Sequence, residues 1–129
     1  MTRTPVTSDK LPPLAGPFSP GVQSGSGPLF ISGQVGQDPA TGALVDGDVT
    51  VQAHQALRNL TAVLEAAGKS LDDVVRIGVY LTDMGDFAAM NEVYREHLSA
   101  PYPARTAIAV AALPLGAVVE FDAIGQPAV

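Results

Sequence analysis

The chain of 129 residues contains no cysteine, which removes both a disulfide framework and a thiolate nucleophile from consideration. Positive charge is scarce as well: seven Lys and Arg stand against thirteen Asp and Glu, a formal net charge of −6. The phosphate backbone of a nucleic acid would meet a repulsive average field, so nucleic acid is disfavoured as a partner. No stretch approaches the roughly 20 consecutive apolar residues of a membrane span, and no membrane association is expected. Residues 1–13 carry three prolines and lack the apolar segment of a secretory signal. They are expected to form a flexible arm in front of a single domain over residues 14–129, in a soluble cytoplasmic protein. A chain of this length can bury roughly two thirds of its unfolded surface.

Within residues 14–129 the apolar pattern alternates between two periods. Leu29 to Val35 reads as a strand between the turn-forming segments Ser24 to Pro28 and Asp38 to Gly42, with a shorter partner near Val22. From Thr50 to Ala67, Ala53, Ala56, Leu57, Leu60, Val63 and Leu64 fall at the spacing of one helical face. Asp48 stands at the N-cap and Gly68 at the stop. Val74 to Leu81 is rich in β-branched residues and reads as a strand. A second helix is predicted over 86–98, with Phe87, Met90, Tyr94 and Leu98 as its stripe and Pro101 beyond its end. The order of elements predicts an α+β fold, helices on one face of a mixed sheet.

The closing segment is the most informative. Two strands, one starting at Pro103-Ala104-Arg105 and one around Val119-Glu120-Phe121, read as a hairpin turning at Leu113 to Gly116. Side chains alternate with period two, so Arg105 shares a face with Ala107, Ala109 and Ala111. The expected register packs Ile108, Val110, Val119 and Phe121 against the helices and leaves Arg105 and Glu120 together on the alanine face. That face is too apolar to be purely solvated, which predicts that a second copy covers it. A guanidinium and a carboxylate in apolar surroundings cost several kcal/mol each unless partnered. They are either an ion pair across the hairpin or parts of a ligand site. The small neighbours leave room beside the guanidinium, whose planar fork suits a carboxylate.

Other polar positions carry two readings. Asn91 lies on the inner stripe of the second helix, where its amide either ties the helix to a loop or meets a ligand. Ser32 has the same ambiguity at the end of its strand, and the glycines from Gly25 to Gly36, Gly33 among them, either let backbone approach a ligand or serve turns. Gly68-Lys69-Ser70 resembles the end of a phosphate loop, but the earlier glycine would fall at Val63 and the triplet ends a helix where it should open one. Asp72-Asp73 and Asp46-Gly47-Asp48 read as turn and capping carboxylates. His54 and His97 fall on predicted helices without neighbours at ligand spacing, so surface positions and no metal site are expected.

Taken in order, Gly16-Pro17-Phe18-Ser19, Ile31-Ser32-Gly33-Gln34, Val63 to Gly68, Phe87 to Tyr94, Pro103-Ala104-Arg105, Leu113-Pro114 and Val119-Glu120 resemble the RidA (YjgF) family of reactive intermediate deaminases. The resemblance implies a chorismate-mutase-like α+β fold and a homotrimer enclosing a central barrel, with active sites in clefts between subunits. It also implies cofactor-free, metal-free hydrolysis of enamines and imines such as 2-aminoacrylate and 2-iminopropanoate to 2-keto acids and ammonia. On that reading Arg105 holds the substrate carboxylate, Glu120 activates water and moves protons, and Phe18, Ser32, Gly33, Asn91 and Ala107 line the pocket. Two positions depart from the family pattern: Phe18 stands where tyrosine is common, and Ala107 where cysteine is common. A non-catalytic carboxylate-binding or protein-interaction role, and an endoribonuclease or translation-inhibitor role, are the alternatives within the same fold.

Overall fold

The computed structural model describes residues 2–127. It has six strands, β1 (Arg3–Val6), β2 (Gly21–Ser24), β3 (Leu29–Gln34), β4 (Val74–Leu81), β5 (Ala104–Ala109) and β6 (Val119–Gly125), and two helices, α1 (Val49–Ala66) and α2 (Phe87–His97). The strands form one sheet in the order β1-β2-β3-β6-β4-β5. Every pairing is antiparallel except that of β4 with β5.

Local chemistry accounts for the helices as expected. The Asp48 carboxylate accepts from the backbone N–H of Thr50 and Val51 at 3.1 and 3.2 Å, satisfying two of the donors that a helix start leaves open. At the other end Gly68 adopts φ +74°, a left-handed conformation that suits glycine and stops α1. Between these ends Ala53, Ala56, Leu57, Leu60, Val63 and Leu64 are fully buried. They pack on Ile77, Val79 and Leu81 of β4 and on Val119 and Phe121 of β6, which are also fully buried. Ser70 caps the short 3-10 turn Leu71–Asp73, and its N–H donates to the Asp73 carboxylate at 2.9 Å.

Two expectations about the strands fail. Residues 3–6 of the expected flexible arm form β1, paired from Arg3 with Ser24 to Val6 with Gly21, and Val6 and Leu11 are buried in the core. Pro5 is compatible with this because β1 is an edge strand.

The second failure is the closing hairpin. β5 and β6 are not neighbours; β4 lies between them, parallel to β5 and antiparallel to β6. Residues directly opposite in a sheet share a face. Arg105 registers with Ile77, and Ile77 with Ala123, on the helix-covered face; Glu120 registers with Tyr80 on the other. The alanines Ala107 and Ala109 therefore stand on the helix side of β5. The uncovered side displays Ile108 at 45% exposure and Phe30 at 46%. Val119 and Phe121 face the helices as expected, whereas Ile108 does not.

Candidate active site

Arg105 occupies the second position of the edge strand β5, where its side chain reaches along the outer flank of α2. Its Nη1 donates to the Asn91 side-chain oxygen at 2.8 Å. The guanidinium carbon lies 4.8 Å from the centre of the Tyr94 ring and 5.5 Å from that of Phe87, within range of cation–π attraction. Ion pairs join His54 to Glu96, Arg76 to Asp122 and Arg95 to Glu92, and Arg105 meets no carboxylate among the described residues. A cleft of about 270 Å³ opens beside it, lined by Asn91, Tyr94, Arg95, Tyr102, Pro103 and Arg105. The Tyr94 hydroxyl is buried against it without a hydrogen-bond partner among the described residues, and burial pushes that phenol above its ordinary range. A positioned cation, one donor tied down and the rest free, beside an aromatic wall, is equipped to hold a small carboxylate.

Glu120 belongs to a separate group of residues. The pairing of β3 with β6 shifts register between Ile31 and Gln34, which places Ser32 and Gly33 in an irregularity of the strand, a device common beside functional sites. The Glu120 side chain packs directly on Gly33: a Cβ there would stand 2.8 Å from the Glu120 carboxyl carbon. Glycine at position 33 thus makes room for the carboxylate. Ser32 donates its hydroxyl to the Ser19 carbonyl at 2.6 Å, and its N–H to the Pro20 carbonyl at 2.9 Å, fixing the loop that carries Phe18. Phe18 is 49% exposed and lines a shallow depression with Gly33, Gln34, Pro20 and Leu11. Glu120 accepts no hydrogen bond from the described residues. Burial first, then the neighbouring Asp122 charge, push its carboxyl above the usual carboxylate range.

The structure thus brings Arg105 together with Asn91, and Glu120 together with Gly33, whose neighbour Ser32 ties down the loop of Phe18, but not the two groups with each other. An intrachain Arg105–Glu120 ion pair does not form. Ala107 lies half-buried two positions along β5 from Arg105, opposite Val79. Tyr94 and Tyr102 were not expected at the site. Tyr94 follows Asn91 by three positions on the same helical face, and Tyr102 stands in the Pro101-Tyr102-Pro103 approach to Arg105, so both signals were present in the sequence. The two histidines are not independent surface residues. His54 Nδ1 and His97 Nε2 are 2.9 Å apart between α1 and α2, and His54 Nε2 meets Glu96 at 3.1 Å. Burial, then the charges of His54 and Arg58, lower the His97 pKa. No group of three or more His, Cys, Asp or Glu among the described residues is arranged to hold a metal ion.

A six-stranded mixed sheet backed by two helices, with an unpaired arginine at one edge and an undercoordinated glutamate on the open face, defines the class. The profile of the endoribonuclease L-PSP family matches residues 8–126. The protein DfrA of Myxococcus xanthus is 47% identical over 125 residues, covering 96% of this chain and 95% of its own length. The 2-iminobutanoate/2-iminopropanoate deaminase of Mus musculus is 46% identical over 122 residues, 95% of this chain and 90% of its own. The crystal structure of RidA from the Antarctic bacterium Psychrobacter superposes with a TM-score of 0.91 at 48% identity, covering 96% of this chain and 99% of that one. The chain belongs to this family, the RidA (YjgF) group that its sequence resembles.

Proposed function

We propose that this protein is an enamine/imine deaminase that works as a homotrimer, each active site joining Arg105 of one copy to Glu120 of the next. The observation that carries this reading is the placement of an unpaired Arg105 and a donor-free Glu120 on opposite faces of one sheet. A three- or four-carbon substrate cannot touch both within a single chain. The β5–α2 flank and the β3–β6 face are different surfaces, so joining them is a head-to-tail contact, which closes into a ring where the rotation allows. The open face, with Phe30 and Ile108 exposed, supplies apolar area for such a contact. Three copies follow from the family resemblance.

In this assembly Arg105 takes the substrate carboxylate in a charge-assisted fork, with Asn91 and the Phe87 and Tyr94 rings holding the guanidinium in orientation. The imine carbon then lies toward the partner subunit's Glu120. Glu120 accepts a proton from water as the oxygen bonds to the imine carbon, and the nitrogen takes up a proton. Collapse of the resulting carbinolamine breaks the carbon–nitrogen bond and releases ammonia and the 2-keto acid. An enamine such as 2-aminoacrylate first takes a proton at its terminal carbon to become the imine. The net change is addition of one water and loss of one ammonia, with no electron transferred. Its burial and the Asp122 charge, which push the Glu120 carboxyl above the usual carboxylate range, make it a better proton acceptor than an ordinary carboxylate.

The name attached to the family model points to RNA instead, but the net charge of −6 gives a polyanion no attractive field. The test is competition with semicarbazide for 2-iminopropanoate made freshly by an amino acid oxidase. Faster pyruvate formation and less trapped semicarbazone on adding the protein support deaminase action; unchanged trapping at stoichiometric protein, with the carboxylate still bound, would make it a non-catalytic binder.

A further inference from the structure

Beside Glu120 on the open face stands a second carboxylate with the opposite surroundings. Asp122 Oδ1 accepts from the Gly78 N–H at 3.1 Å, and Oδ2 from the Tyr80 hydroxyl at 2.9 Å. The Arg76 guanidinium approaches Oδ1 at 3.8 Å. The fit requires glycine at 78, since a Cβ there would stand 2.7 Å from the Tyr80 hydroxyl and would run into the Asp122 carboxylate. Donors on both oxygens and a nearby cation hold the Asp122 carboxylate in place. Glu120, two positions along β6 and on the same face, has none of these donors.

We propose that Asp122 is a positioning residue for Glu120: an anchored negative charge that makes the neighbouring carboxylate the better proton acceptor of the two. Two adjacent carboxylates with contrasting surroundings divide the roles, one tied by hydrogen bonds and one free to exchange protons. The titratable groups beside Glu120 are Asp122 on its own strand and Tyr80, its register partner on β4, with Arg76 further along the same face against Asp122; β3 (Leu29–Gln34) contributes no titratable side chain. Tyr80 is held as a neutral donor, since its hydrogen bond to Asp122 raises its own pKa. In the proposed ring the partner subunit's Arg105 would favour the charged form of Glu120, and the Asp122 charge opposes it. This inference rests on the deaminase reading for its consequence in catalysis, but not for the coupling between the two carboxylates.

The experiment follows the Glu120 carboxyl carbon by 13C NMR against pH in the wild-type protein, assigned with Glu120→Gln, and repeats it in Asp122→Asn and Tyr80→Phe. The pH profile of kcat/KM for imine hydrolysis is measured in parallel. Removing a like charge favours the ionised form, so in Asp122→Asn Glu120 should titrate at lower pH and the acid limb of kcat/KM should move down with it. Tyr80→Phe keeps the charge and should move both less. A residue that only stabilises the sheet would lower activity at every pH without moving either midpoint. An unchanged Glu120 titration in folded Asp122→Asn overturns the proposal. A titration that moves while the acid limb stays fixed upholds the coupling and overturns Glu120 as the base. If Asp122→Asn does not fold, Arg76→Gln replaces it: leaving the Asp122 charge uncompensated should raise the Glu120 midpoint, and no change overturns the proposal.

Discussion

Arg105 and Glu120 lie on opposite faces of the sheet, with β4 between their strands. Neither meets an opposite charge among the described residues, and each is held by residues that leave its functional atoms free. In the proposed ring one copy's cation would meet another's carboxylate across a bound substrate.

Arg105→Lys should lose most of the activity that Arg105→Ala loses. The ammonium cannot form the planar fork and forfeits the stacking on Tyr94. Charge-assisted hydrogen bonds contribute about 1.5 to 3 kcal/mol each, so kcat/KM should fall at least tenfold in either variant. Steady-state kinetics with small imines, alongside circular dichroism to confirm folding, checks this. Near-normal kcat/KM in the lysine variant would remove the fork.

Gly33→Ala should fold and yet catalyse poorly, because the new methyl occupies the space of the Glu120 carboxyl group. Overpacking of this kind costs about 1 to 3 kcal/mol. The expected signature is a fall in kcat with KM little changed, since carboxylate capture resides on Arg105. A fall in substrate affinity alone would place Gly33 in the carboxylate subsite instead.

The His54–His97 pair should make stability depend on pH. The native pKa of His97 is lowered, so the unfolded chain binds more protons in the window between the native and unfolded values. Its contribution is present above the unfolded value of about 6.5 and is lost as pH falls through the native one. Thermal unfolding should show Tm dropping on acidification from about pH 6.5, less steeply in His97→Gln. Parallel curves would show that the pair does not control acid stability.

The helices were legible from sequence because their signals are local: period, an N-cap aspartate and a stopping glycine. Phe87, Asn91 and Tyr94 were likewise placed on one stripe, and the structure sets all three against Arg105. The β5–β6 relationship was not legible. Alternation shows that Arg105 and Ala107 share a face, but which face is covered depends on register and neighbours, which are tertiary. Nine residues lie between Ala109 and Val119, longer than the usual two- to five-residue hairpin loop, and that length is the trace left in the sequence by the intervening β4. β1 escaped notice because a four-residue edge strand containing Pro5 has almost no pattern of its own. Asp122 looked like an ordinary outward position on β6, and its importance comes from Gly78 and Tyr80, 44 and 42 residues earlier in the chain.

The central claim is that each site is shared between copies, and subunit mixing tests it most directly. Arg105→Ala and Glu120→Gln proteins, each inactive alone, are dissociated, mixed and reassembled. In a head-to-tail three-membered ring, every mixed assembly contains one junction with both an intact Arg105 and an intact Glu120. Mixed assemblies should therefore regain about one third of the wild-type rate, and a random equal mixture about one quarter overall. No recovery in assemblies shown by native mass spectrometry to contain both chains would contradict the shared site.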